Sequence, residues 1–175
     1  MSKIIIKNTK YADSRTADSR TADKDITKDK LYDATINHIN DVRRGMDYFS
    51  EQIHKRGLNH DYTKIDCFDD VYAPSVLSGH TDDSFKQGEW YQRHITEERH
   101  HVNDNAQIDI NLIDILEHIV DIVMAGKGRA GQITSRYCDM DPILLHRAYY
   151  NTIRMLDEIV EVSNAEELLT EEEEE

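Results

Sequence analysis

Cysteine, positive charge and long apolar runs are all scarce in this chain of 175 residues. Its two cysteines, Cys67 and Cys138, have no close-spaced partner, so they read as reduced thiols and exclude a disulfide framework. No run approaches the roughly 18 apolar residues of a membrane span, and Met1–Lys10 lacks the apolar core of a signal peptide. These absences predict a soluble, cytoplasmic protein. Lys and Arg total 21 against 35 Asp and Glu, a formal charge of -14, and no basic cluster offsets that field. Duplex nucleic acid is therefore not an expected partner, whereas a basic protein is compatible with the charge. The length suits one core with tails.

Three zones are expected. Residues 1–28 hold a short apolar run, Ile4-Ile5-Ile6, which reads as an edge strand or a docking arm, and a polar pentapeptide repeat. Ala12-Asp13-Ser14-Arg15-Thr16 recurs as Ala17-Asp18-Ser19-Arg20-Thr21 and decays in Ala22-Asp23-Lys24, which reads as a flexible or locally helical leader with nothing to bury. Residues 29–162 carry helical periodicity, and residues 163–175, with Glu171–Glu175, form an acidic tail of low complexity predicted to be disordered.

Within the middle zone Leu31, Thr35, His38, Val42, Met46, Phe49 and Ile53 step by 4, 3, 4, 4, 3, 4, which predicts one buried helix face ending at Gly57 as a C-cap. That face aims His38 at the core, either as a histidine bonded to a carbonyl or as part of a site. Residues Asp66–Gln87 read as a long loop with one short helix, the kind of segment that forms lids and substrate walls. A helix over Asp109–Gly126 has an apolar side that includes Ile110, Ile113, Leu116 and Val120, and a polar stripe of Asp114, Glu117, His118 and Asp121. A charged stripe is normally the wet face, although helices that wall metal cavities place carboxylates at the same spacing. Asp141-Pro142 starts a last helix, marked by Leu145, Tyr149, Ile153, Leu156 and Val160.

The chemistry-bearing residues are few and ordered. His60-Asp61 sets a nitrogen ligand beside an anionic oxygen ligand, a pairing that suits an open divalent site. Lys64, three residues on, falls on the same side of a helix, either to hold a phosphate oxygen or as a surface ion pair. His94, His100 and His101 fall within eight residues, a density associated with metal binding or pH switching and otherwise with a polar helix end. On a regular helix neighbouring His100 and His101 would diverge by about 100°, so only one would face a given site unless the helix ends there.

Set in order, His38, His60-Asp61, His94, His100-His101 and Asp121 resemble the HD-domain superfamily, all-helical metal-dependent phosphohydrolases with a His, His-Asp, Asp ligand order. His60-Asp61-Tyr62-Thr63-Lys64 is similar to the superfamily's His-Asp-x-x-Lys segment. Over roughly Asp29 to Val160 the chain resembles, more closely, a family of small bacterial and phage HD-like proteins without assigned activity. The match there rests on His38-Ile39, His60-Asp61-x-Thr63-Lys64, Arg99-His100-His101, Asn111–Asp114 with Glu117 and Asp121, and Asn151-Thr152. That family often has Pro-Glu-His where this chain has Val102-Asn103-Asp104, and Trp where it has Ile122.

The resemblance implies an all-α, HD-like bundle. It makes His38, His60, Asp61 and Asp121 metal ligands, Asp61 a bridge, and His94, His100 and His101 ligands of a second ion. Two cations about 3.5 to 4 Å apart acidify a shared water and neutralise phosphate charge, while Lys64 steadies the phosphate. Mn, Fe, Co, Ni or Mg is the expected metal, and a nucleotide or another small phosphate ester the expected substrate. The alternative is a non-catalytic acidic interaction protein, a phage-type inhibitor or scaffold on the same core.

Overall fold

A computed structural model describes residues 3–7, 27–79, 83–103, 105–133 and 139–163. The pentapeptide repeat, Cys138 and the glutamate tail lie outside these residues.

Helix α1, Lys28–Asn59, begins where the Lys30 backbone N–H donates to Thr27 Oγ1 at 3.3 Å, the capping role that short hydroxyl side chains play. Asp29 in its first turn and Arg56 in its last complement the helix dipole. It runs through Gly57 to Asn59, so the expected C-cap is an interior residue without a left-handed φ. The predicted apolar stripe is present but not buried: Leu31, Val42, Met46 and Ile53 are exposed, and so is His38. Periodicity identifies residues that share a face without supplying the element that covers it. The expectation of a core-facing His38 is thereby overturned.

Short helices follow: α2 Tyr62–Asp66, a π-helical turn Phe68–Tyr72, α3 Ala73–Leu77, α4 Asp83–Gln87 and α5 Glu89–Glu97. The expected loop is thus mostly a string of single helical turns. Helix α6, Leu112–Ala130, opens with a capping box. Asn111 Oδ1 accepts the N–H of Ile113 at 2.9 Å, and Asp114 Oδ2 accepts that of Asn111 at 3.0 Å. It closes at Gly131, whose φ of 68 is one that glycine adopts without a Cβ penalty. Helix α7, Pro142–Ile159, starts as predicted, with the Ile143 N–H donating to Asp141 Oδ1 at 2.9 Å.

The isoleucine run is strand β1, Ile4–Lys7, paired in parallel with β2, Val160–Ser163, in a register that sets Ile4 opposite Val160. Val160 therefore begins a strand instead of continuing the last helix. Apart from this two-stranded sheet the described fold is all-α.

Contacts group the described residues into two units: those within 3–50 together with 155–163, and those within 51–154. The second has a small core of Val102, Ile110, Ile115, Leu144 and Ala148, with Ala106, Leu112 and Met140 packed against it. Two polar residues of α7 fasten the start of α6 to this core. Thr152 Oγ1 accepts the Leu112 N–H at 2.8 Å, and Asn151 Nδ2 donates to the Ile110 carbonyl at 2.8 Å. No helix among the described residues is long and apolar enough to cross a membrane.

Candidate metal centre

The centre is built where the chain reverses between α1 and α2. Asp61 occupies the left-handed region at φ 57, ψ 26, a conformation that aspartate tolerates better than most side chains. Its carbonyl accepts the Lys64 N–H at 2.9 Å, and its side chain accepts from Lys64 Nζ, so the reversal and the ion pair fix one another. The turn sets His60 Nε2 3.6 Å from Asp61 Oδ2.

Two sets of ligand-type atoms surround Asp61, each within 4.8 Å of one another: His60, Asp61 and His100 form one, and Asp61, His94 and His101 the other. Asp61 Oδ1 lies 3.6 Å from His100 Nε2 and 3.7 Å from His94 Nε2, and the Nε2 atoms of His94 and His101 are 2.8 Å apart. Both of the neighbouring histidines take part because α5 ends at Glu97, so His100 and His101 are not held to a helical separation. One of the two neighbours thus falls in each set.

The rings are oriented by residues behind them. Thr63, fully buried, donates from Oγ1 to Glu98 Oε1 at 2.8 Å, and its N–H donates to the same oxygen at 2.9 Å. A hydroxyl has one proton, so Oγ1 must accept from His94 Nδ1 across their 2.6 Å contact. His94 is thereby held as the tautomer whose Nε2 lone pair faces Asp61 and His101. Trp90 stacks on its ring at 5.2 Å and 10°. His60 Nδ1 donates to Glu117 Oε1 at 3.0 Å, which leaves Nε2 toward Asp61 and toward Asp121 Oδ1, 3.6 Å away.

Helix α6 inverts the simpler reading of its sequence. Asp114 and His118 are buried and Glu117 and Asp121 half-buried, whereas Leu116, Ile119 and Val120 are exposed. The polar stripe is the inner face because other chain segments supply its counter-charges. Arg56 donates to Asp114 Oδ1 at 2.7 Å, and Arg99 to Asp114 Oδ2 at 2.7 Å. His118 bonds the backbone of His100, and Asn103 Nδ2 donates to His118 Nε2 at 3.4 Å.

Among the described residues, three buried side-chain atoms of this cluster have no hydrogen-bond partner: Asp61 Oδ1, His100 Nδ1 and Glu117 Oε2. Buried polar atoms are almost always paired. A buried carboxylate oxygen without a donor, flanked by imidazole nitrogens, is a donor set matched to a divalent cation. The His and Asp groups of this site are therefore able to hold metal. Of the sequence-predicted residues, His60, Asp61, His94, His100 and His101 come together, with Asp121 beside His60 and Lys64 on Asp61. His38 belongs to neither metal-competent group among the described residues. Spacing gives no role to Thr63, Glu98, Arg56 or Arg99, whereas it sets Glu117 on the polar stripe four residues before Asp121.

Electrostatics divides the histidines. The carboxylates of Asp121, 3.6 Å from Nε2, and then of Glu117, hydrogen-bonded to Nδ1, outweigh burial and raise His60 to about 10. Burial, with His101 and Lys64 adding to it, lowers His94 to about 3. The nearby His60 imidazole holds Asp121 at about 2; burial pushes Glu117 up, but His100, His60 and Arg56 bring it to about 2. His94 is thus a ready ligand at neutral pH, whereas His60 must first lose a proton. Binding of Mn at pH 7 to 9 is expected to release about one proton, with apparent affinity rising about tenfold per pH unit toward the His60 value. Calorimetry in buffers of different ionisation enthalpy measures this directly, and zero proton release contradicts it. No protein-family model, curated protein or solved structure matches this chain.

Proposed function

We propose that the chain is a metal-dependent phosphohydrolase of HD-domain type acting on a small phosphate ester. The observation that carries this reading is the sharing of one carboxylate, Asp61, by two three-residue sets of ligand atoms, with a lysine paired to it. His60, Asp61 and His100 would hold one cation, with Asp121 beside His60; Asp61, His94 and His101 would hold another. Bound divalent cations of the Mn, Fe, Co, Ni or Mg kind supply charge that acidifies water and offsets the phosphate's own.

The chain's residues do the rest. Glu117 keeps His60 Nε2 turned toward Asp61, and the Glu98-Thr63 pair keeps His94 in its Nε2-ligating tautomer. Lys64 Nζ, paired with Asp61, would hold a phosphate oxygen. In the reaction a water oxygen bonds to phosphorus and the ester P–O bond breaks. One water proton ends on the departing alcohol and the other on the phosphate. Screening purified, Mn-loaded protein on phosphomonoesters and phosphodiesters is expected to give turnover that chelator removes and added Mn restores. Failure on every ester by protein with full metal content overturns the reading.

A further inference from the structure

A pocket of about 320 Å³ opens beside the metal cluster, between the last turns of α1 and the outer side of α6. Its walls include Ile53, Gly57, Ile113, Leu116, Val120 and Met124, and the remainder is Arg56 with the cluster residues His60, Glu117 and Asp121. Spacing explains the arrangement: Ile53, Arg56 and Gly57 fall on one side of the last turns of α1, His60 directly follows that helix, and Ile113, Leu116, Val120 and Met124 recur every three or four residues on α6. Leu116, Val120 and Met124 are exposed, so these large apolar side chains line a concavity without joining the core.

The volume lies at the small end of ligand sites, which run from roughly 300 to 1,000 Å³. It exceeds the roughly 150 Å³ that accepts a benzene ring in an engineered apolar cavity. We infer that this pocket receives the apolar, preferably aromatic, organic part of the substrate while its phosphate meets the metal cluster, an inference that rests on the hydrolase reading for the phosphate alone. A nucleotide is the poorer fit, since the polar atoms of a ribose and base would lose water against aliphatic walls that return no hydrogen bonds. Arg56 suits the phosphate end: it lines the pocket, already bridges to Asp114 at 2.7 Å and lies 3.8 Å from Glu117, and guanidinium has five N–H groups to share.

Gly57 provides the test. A Cβ built there meets nothing within 4 Å, and its φ is not positive, so Gly57→Leu adds bulk to the pocket at a helical position that leucine favours. Calorimetric titration of Mn-loaded protein uses naphthylmethylphosphonate, methylphosphonate and AMP, none of which requires turnover to be read. The naphthyl compound is expected to bind about tenfold or more tighter than methylphosphonate, the scale set by burying an aromatic ring, and tighter than AMP. Gly57→Leu should erase that advantage while leaving methylphosphonate affinity and metal content unchanged.

Equal binding of the two phosphonates, tighter binding of AMP, or a naphthyl preference that survives Gly57→Leu overturns the inference. So does a dimer that Gly57→Leu dissociates without changing ligand affinity, which would assign the face to a second copy. Retained naphthyl preference with no hydrolysis of any ester supports the pocket and discards the hydrolase reading; hydrolysis without preference does the reverse.

Discussion

Asp61→Asn is expected to lose metal at both sets of ligands together with phosphoester hydrolysis, while leaving the metal-free protein about as stable as before. The side chain is common to both sets, so its charge has no substitute in either. Losing it should reduce metal affinity by more than the roughly 10–100-fold that follows removal of a group merely supporting a ligand. Stability in chelator should change by about 1 kcal/mol or less. Asparagine keeps the side-chain shape and tolerates the left-handed φ of 57, and a partly exposed Asp–Lys pair three residues apart is worth about 0–1 kcal/mol.

In the unsubstituted protein, Mn at about 100 times its Kd adds about 2.7 kcal/mol, or about 5–10 °C in Tm for a chain of this size. The substituted protein should show no such rise. His60→Ala and His94→Ala each touch one set only, and should each remove about half the metal. Elemental analysis with thermal unfolding in Mn and in chelator reads all of this, and full metal content in Asp61→Asn discards the site.

What could be read in advance follows from how local each signal is. Asp141-Pro142 announces a helix start because capping involves atoms two or three residues apart, and the structure has that start. The adjacency of His60 and Asp61 and the crowding of His94, His100 and His101 are likewise local, and these five residues converge. Burial is not local. The stripe containing Leu31, Val42 and Met46 has helical spacing but no cover among the described residues, so His38 is exposed.

On α6 the ordinary rule that charge faces water fails because Arg56 and Arg99, distant in sequence, reach Asp114 and make its burial tolerable. The tautomer of His94 depends on Glu98 and Thr63, 35 residues apart, a relation that no periodicity reports. The resemblance to HD-domain proteins implies ligand roles for most of the cluster and also for His38, which is in neither metal-competent group among the described residues.

Asp114→Ala is expected to produce the largest loss of stability of any single change near the site. Its carboxylate, 1 % exposed, accepts from Arg56, twice from Arg99, and from the Asn111 N–H that begins α6. Alanine removes all four bonds and leaves two guanidinium groups facing the space it vacates. Stripping one partner from a buried ion pair costs about 3–5 kcal/mol, and losing a helix cap about 0.5–2 kcal/mol.

These do not simply add. The two arginine side chains keep 31 % and 18 % exposure to water, Arg99 retains Asp109 and Gln107, and Asn111 still caps the Ile113 N–H. About 3 kcal/mol is the reasonable sum, a large share of the roughly 5–15 kcal/mol that holds such a chain folded. Thermal unfolding in chelator should show Tm lower by about 6–12 °C. Asp114→Asn, which keeps an acceptor for the Asn111 N–H but no charge, should fall between. No metal-ligand atom is touched, so below its Tm the alanine variant should still bind Mn. A Tm within about 1 °C of the unsubstituted protein would show that water, and not Asp114, carries the charge of Arg56 and Arg99.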